Sequence, residues 1–242
     1  MSLQTEIRYF GSVSTTNDEA AKLIGTVSHS VWCVAETQEQ GVGRRGRMWS
    51  SPKGNFYGSL LLPCDDAADQ KALRSFVAAL ALRDALVALS ADLDITLKWP
   101  NDVLVQGGKV AGILLSGLPG HLILGMGVNL ISAPPLDAIE PRAVRPVALN
   151  EFGLDITPER MAEVLSHAFA EREHAFRTFG FAPIRIDWLH HAARLGDVMT
   201  ARLSKEEITG TFETVDDQGA LVLRTHTGLR IITAADVFFE GV

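Results

Sequence analysis

The sequence predicts an α+β fold: a mixed β-sheet flanked by helices, followed by a small β-barrel. Three observations predict it. Apolar, β-branched runs separated by glycine-rich or polar breaks recur through the first half of the chain. Residues 67–89 carry Ala and Leu at helical spacing, and Thr157-Pro158-Glu159 opens a second helix that should run to about Phe179. Beyond Gly196 the texture changes to four or five short strands in about 45 residues, a density typical of small barrels. The boundary is expected at 190–196, giving domains 1–192 and 193–242.

Each element has a local reason. Thr16-Asn17-Asp18-Glu19 has the spacing of a capping box, with Glu19 three residues after Thr16, so DEAAKLIG should be a short helix stopping near Gly25. VWCVAE (31–36) reads as a strand, 37–54 as a long polar and glycine-rich loop, and NFYGSLLLP (55–63) as the next strand. Residues 67–89, rich in Ala and Leu, should form a long buried helix. DITLKW, DVLV and KVAGILLSG follow as strands, with Gln106-Gly107-Gly108 as a hairpin turn, and HLILGMGVNL should pair beside its predecessor. After a Pro/Ala-rich loop at 132–146, Thr157-Pro158-Glu159 opens a helix that Gly180 stops. GDVMTARLS, ITGTFETV, ALVLRTH and LRIITAADVFF are the barrel strands.

Composition narrows the class. The chain has 242 residues, 47% of them hydrophobic, enough for a substantial core. A net charge of −7 disfavours a nucleic-acid-binding face, so the basic cluster Arg44, Arg45, Arg47 is better read as a local anion site. The two cysteines, Cys33 and Cys64, are too few and too far apart for a cysteine zinc site or a disulfide scaffold. No leader-like or membrane-length apolar run occurs, so the expectation is a reduced cytoplasmic protein with no membrane partner.

Familiar motifs fail on context. Gly41-x-Gly43-x-x-Gly46 spells a dinucleotide turn, but no helix opens after Gly46 to receive a pyrophosphate. Gly107-Gly108-Lys109 lacks the Ser or Thr of a P-loop, since Val110 follows. His190 and His191 are adjacent and point apart on a helix, so they do not share an ion. Ser50-Ser51 has no nucleophile elbow.

Five segments interrupt good core sequence with polar or glycine-rich residues: Thr15-Thr16-Asn17, Gln38 through Arg47, Lys98-Trp99-Pro100-Asn101-Asp102, Lys109-Val110-Ala111-Gly112, and Gly125-Met126-Gly127-Val128-Asn129. Taken singly, each has a bland alternative: a helix cap, a snorkelling lysine, an Asx turn, a bulge. In this order, TTN, Q-x-x-G-x-G-R-R-G-R-x-W, KWPND, GKVAGIL and G-x-G-V-N-L resemble the biotin protein ligases, strongly over residues 10–131, and the C-terminal β-domain is similar to that family's.

The resemblance implies a class II synthetase-like catalytic domain with an SH3-like barrel behind it. It implies ATP-dependent joining of biotin to a lysine of a biotin carboxyl carrier protein through biotinyl-5′-AMP. It implies biotin contacts from Thr15, Thr16, Asn17, Gln38, Gly41, Val42, Gly43, Arg44, Lys109, Gly112 and Gly125. It implies ATP or adenylate contacts from Arg45, Arg47, Trp49, Lys98, Asn101 and Asn129. Lys109, Arg44 and Asp102 are the expected catalytic residues, and Asp102 the expected Mg²⁺ ligand. Forked arginines suit phosphate and carboxylate oxygens, and a glycine-rich loop suits closure over a labile anhydride. Hydroxyls and amides suit a neutral urea, which needs donors and acceptors together. No general base stands out; Asp102 or solvent would serve.

The match departs from the family in three places. Val42 stands where the family's Gly-Arg-Gly-Arg-Arg-Gly loop has its first arginine, Ser116 where glutamate is frequent, and TTN where STN is commoner. Two other readings stay open: a lipoate or octanoyl transferase on the same scaffold, and a non-enzymatic biotin sensor. The residues ahead of Thr15 are too few for a winged helix, so no operator binding is expected. A homodimer through strand edges is compatible with the pattern.

Overall fold

Period-two alternation in the central strands decides which face each residue packs on. A computed structural model describes residues 5–239; residues 1–4 and 240–242, the outer ends of the two expected domains, lie outside the described residues. Strands β1 (Glu6–Val13), β2 (Val31–Gln38), β3 (Phe56–Pro63), β4 (Ile95–Lys98), β5 (Asp102–Val105), β6 (Gly108–Leu118) and β7 (His121–Val128) form one sheet in the order β1-β2-β3-β7-β6-β5-β4. Only β1 and β2 run parallel; the rest is antiparallel, so the sheet is mixed.

Helices α2 (Ala68–Leu89) and α3 (Pro158–Phe179) pack on one face, where Trp32, Val34, Leu60, Leu62, Leu122 and Leu124 point. The intervening residues Cys33, Leu61 and Ile123 point the other way and meet Ala20 of the short helix α1 (Thr16–Lys22). Because α1 covers only part of that second face, the sheet beyond its first turn is left open as a cleft. Between α2 and α3, Arg74 donates to both oxygens of Glu173 at 3.0–3.1 Å, with both side chains buried. Removing either partner of such a pair would leave a buried charge uncompensated between the two helices.

Strands β8 (Val198–Arg202), β9 (Glu207–Val215), β10 (Leu221–Thr225), β11 (Gly228–Ile232) and β12 (Asp236–Phe239) form a second, antiparallel sheet in the order β11-β10-β9-β8-β12. It is bolted to the first. Leu97 of β4 donates to the His191 carbonyl and accepts from Ala193 N, both at 2.8 Å. Trp99 Nε1 donates to the Gly219 carbonyl at 3.0 Å, and Arg185 of α4 (Phe181–His190) donates to Thr214 Oγ1 at 3.1 Å.

Some local expectations shift. The α1 cap is Thr15, whose hydroxyl accepts from Asp18 N at 3.0 Å; the box read from Thr16 is one residue out of register because Thr16 already has helical geometry. Strand β1 and helix α4 were not expected: β1 is half exposed at the sheet edge, and α4 begins with FAPI, where the proline falls in the first turn. LRIITAADVFF is two strands, β11 and β12, split at 233–235 so that β12 can cross to pair with β8. No helix among the described residues is long and apolar enough to cross a membrane.

Candidate active site

All the candidate biotin, adenylate and catalytic residues converge on one cleft of about 850 Å³ on the open face of the first sheet, save Gly41 and Arg45, which stand beside it in the loop. Three walls of distinct chemistry define it.

The first is an amide and hydroxyl wall at the start of α1. Thr16 N donates to Gln38 Oε1 at 2.9 Å, and Gln38 Nε2 donates to Ser51 Oγ at 3.0 Å, so the Gln38 amide is fixed at both ends. Asn17 stands beside it, over Gly125. A Cβ added at Gly125 would lie 2.6 Å from Asn17 Oδ1, so the glycine is where the Asn17 amide makes its close approach to the strand.

The second wall is cationic. Lys109 Nζ lies 2.7 Å from Asp102 Oδ1, and Lys98 Nζ 3.7 Å from Asp102 Oδ2. One carboxylate therefore positions two ammonium groups. Burial works to raise the Asp102 carboxyl, but Lys109 and then Lys98 outweigh it and hold it below the usual carboxylate range. Burial pushes the Lys98 ammonium down from its ordinary value. Asn101 is part of the framework: its Nδ2 donates to the Ile113 carbonyl at 2.8 Å and its Oδ1 accepts from Arg44 at 3.3 Å. Asn129 lines the cleft but spends Nδ2 on the Val147 carbonyl at 3.1 Å.

The third wall is the loop from Gly41 to Trp49. Gly43 N donates to the Arg47 carbonyl at 2.7 Å and Trp49 N to the Gly41 carbonyl at 2.8 Å, which folds the loop into a narrow hairpin around a single turn at Arg44–Gly46. Val42 pairs with Met48 across that hairpin, and half of its surface is exposed. Trp49 then turns inward. Its ring would lie 2.9 Å from a Cβ on Gly112 and 2.5 Å from one on Gly127. The space above these two strand glycines is thus filled by the indole, for which a side chain at either position would leave no room.

The arginines do not point freely into the cleft. Arg45 Nη1 reaches Asp236 Oδ2 at 2.9 Å, and Arg47 pairs with Asp236 Oδ1. Arg44 donates to the Ala235 carbonyl at 3.4 Å. Glu140, from the 132–146 loop, lies 3.5 Å from Arg47 and pairs with Arg202, which itself reaches Asp236 at 3.2 Å from the neighbouring strand. Asp236 of the second sheet and Glu140 of the 132–146 loop therefore close the cleft with carboxylates. Asp236, Glu140 and the residues around them were not foreseen; they lie far along the chain in ordinary loop and strand text, and no local pattern marks them.

As a Mg²⁺ ligand Asp102 fits poorly here, since both of its oxygens face ammonium groups. No group of three or more metal-ligating side chains occurs among the described residues. Cys33 and Cys64 are free thiols, both buried.

The pattern of the Biotin/lipoate A/B protein ligase family matches residues 9–130, and that of the Biotin protein ligase C terminal domain matches residues 199–240. A biotin–[acetyl-CoA-carboxylase] ligase from Paracoccus denitrificans is 48% identical over 94% of this chain and 98% of its own length. A bifunctional ligase/repressor from Bacillus subtilis is 28% identical over 97% of this chain and 76% of its own. The structure of a biotin protein ligase from Aquifex aeolicus in complex with biotin and ATP superposes with a TM-score of 0.86 at 25% identity, covering 97% of this chain and 99% of that one.

Proposed function

The chain belongs to the biotin/lipoate A/B protein ligase family, and we propose that its cleft works by the division of labour its three walls describe. The activity is that of a biotin–[acetyl-CoA-carboxylase] ligase, which biotinylates a carboxylase carrier by way of biotinyl-5′-AMP. The observation that carries the site assignment is the placement, in one cleft, of a urea-reading wall beside two lysines held on one carboxylate.

A carboxylate oxygen of biotin attacks the α-phosphorus of ATP, the bond from that phosphorus to the bridging oxygen breaks, and pyrophosphate leaves. Both reactants are anions, so the step needs cations placed in advance. Lys109, aimed by Asp102, sits between them and screens the approach; Lys98 adds charge from below. Arg44, Arg45 and Arg47 exchange their protein carboxylate and carbonyl partners for phosphate oxygens. Thr15, Thr16, Asn17 and Gln38 hold the ureido ring, and Trp49 supplies a flat apolar surface for the adenine or the acyl chain. In the second step the carrier lysine, once deprotonated, attacks the acyl carbon and AMP leaves. Magnesium enters with the triphosphate of ATP as part of the substrate, and waters and phosphate oxygens supply most of its shell. The acidic net charge of −7 favours a carrier protein over DNA as the macromolecular partner.

ATP–pyrophosphate exchange, measured with biotin and separately with lipoate, tests this reading. Exchange with biotin alone is expected. Exchange with lipoate alone would move the chain to the acyl-carrier branch of the family, and none with either would make it a sensor.

A further inference from the structure

We propose that Ser59, a fully buried residue of β3 that lies behind the cleft wall, sets the hydrogen-bond polarity of that wall and makes Asn17 a donor toward biotin. The proposal rests on the cleft being the biotin site.

Ser59 is 0% exposed and bridges two of the wall residues. Its Oγ lies 2.7 Å from Thr16 Oγ1 and 2.6 Å from Asn17 Oδ1. Each hydroxyl has one proton, so the chain of bonds must run in a single direction. Thr16 Oγ1 has two neighbours to donate to, Ser59 Oγ at 2.7 Å and Gln38 Oε1 at 3.1 Å. Gln38 Oε1 is already supplied by Thr16 N at 2.9 Å. The shorter contact has the length of a good O–H···O bond, and the longer one does not. Thr16 therefore donates to Ser59, and Ser59 passes its own proton to Asn17. The 2.6 Å separation from Ser59 is the length of an O–H···O bond and short for N–H···O, which places the Asn17 oxygen inward.

The consequence is at the cleft surface. With Oδ1 turned in to Ser59, Nδ2 is turned toward the cleft, and among the described residues nothing accepts its hydrogens. Gly125, opposite Ser59 across the β3–β7 ladder, leaves room for the Asn17 amide between the strands and the cleft. Gln38 Oε1 is taken by Thr16 and one Nε2 hydrogen by Ser51, and the Thr15 hydroxyl can rotate, whereas Asn17 Nδ2 presents a donor whose direction the Ser59 bond fixes. A urea presents one carbonyl acceptor and two N–H donors. A fixed donor selects the carbonyl edge and rejects a ligand that places N–H at the same point.

The test compares biotin with 2-iminobiotin, in which an imino nitrogen replaces the ureido oxygen, at a pH where the guanidine is protonated. Dissociation constants are measured for the wild type, Ser59→Ala, Ser59→Cys, Asn17→Ala and the Ser59→Ala/Asn17→Ala double variant, with thermal melts to verify folding. The wild type should prefer biotin. Ser59→Ala frees the Asn17 amide to turn its oxygen outward, so the preference should fall about tenfold, the range of one hydrogen bond. Ser59→Cys, a weak donor, should lie between. Asn17→Ala should lose the preference as well, and adding Ser59→Ala to it should change the preference no further. A preference unchanged in folded Ser59→Ala, where biotin and the analogue weaken together, would overturn the proposal by making Ser59 merely structural. If Ser59→Ala does not fold, a preference retained in Asn17→Ala or in Ser59→Cys at the full wild-type level would overturn it equally. Wild-type protein that binds no biotin would overturn the cleft assignment itself, and the proposal with it.

Discussion

Lys109 and Lys98 share Asp102, and this sharing gives the cleft its charge at a defined place. An ammonium on a flexible stem is a poor electrostatic tool unless something aims it. Asp102 aims Lys109 at 2.7 Å, while the Trp49 ring, 5.6 Å from Lys109 Nζ, limits its swing from the other side. Lys109→Ala should therefore lower biotin-dependent ATP–pyrophosphate exchange by about a hundredfold or more, the usual effect of losing one group that stabilises developing charge. Near-normal exchange would remove Lys109 from contact with the reacting atoms. The loop glycines separate just as sharply. A Cβ on Gly41 would meet the Trp49 carbonyl and stand 2.5 Å from Ser51 Oγ, whereas one on Gly43 would meet only the Arg47 carbonyl at 3.6 Å. Gly41→Ala should weaken biotin binding by at least about tenfold, because it displaces Ser51 from the Gln38 amide. Gly43→Ala should bind biotin as the wild type does. Isothermal titration of both variants checks the pair, and equal losses would refute the distinction.

The loop from Gly41 to Trp49 and the start of β12 act on one another through charge. Asp236 takes Arg45 and Arg47 from the loop and Arg202 from its own sheet, so its carboxyl, which burial alone would raise, is held below the usual range by Arg202 and Arg47. A depressed carboxyl contributes its stabilisation above the ordinary value of about 3.9 and loses it as the pH falls through the lower, folded value. The latch is intact at neutral pH and opens only in acid. Asp236→Asn should open it at neutral pH. Amide hydrogen exchange at 41–49 should rise about tenfold, a modest figure because the arginines are partly solvated. Exchange that stayed at the wild-type rate would show that the hairpin bonds alone hold the loop. These elements also show what the sequence could and could not reveal. Helices α2 and α3 and the strands from β2 to β7 were legible because period and capping act over a few residues. Strand β1 was not: it is an edge strand with one buried residue, and its alternation is lost among exposed side chains. Helix α4 was missed because Gly180 reads as a stop, although it only turns the chain between two helices.

Across the chain, the site was legible where its residues cluster in short motifs and illegible where it depends on closure between distant segments. KWPND and GKVAG mark the cationic wall because they are contiguous. Asp236 lies 189 residues from Arg47, in text indistinguishable from any strand start, and only the docking of the second sheet brings them together. Ser59 was hidden differently: a serine in a strand is unremarkable until its neighbours are known. The same docking governs stability. One hydrophobic cluster runs without a break from Trp32 and Leu60 through Phe76 and Trp188 to Phe212 and Leu223 of the second sheet, so the expected domains, 1–192 and 193–242, should unfold together in a single cooperative transition. Gly219 is the point to test. Its φ of +79 disfavours a side chain, and a Cβ would lie 2.9 Å from Phe76 and 3.0 Å from Leu73 on α2. Gly196 has a similar φ of +88 but open space around it. Gly196→Ala should cost only the backbone term, about 1 kcal/mol. Gly219→Ala adds a clash in the seam and should cost about 3 kcal/mol. In urea, both should still unfold in one step, with the Gly219→Ala midpoint the lower. Two separated transitions in the wild type, or equal midpoints for the two variants, would mean that the seam carries no shared stability.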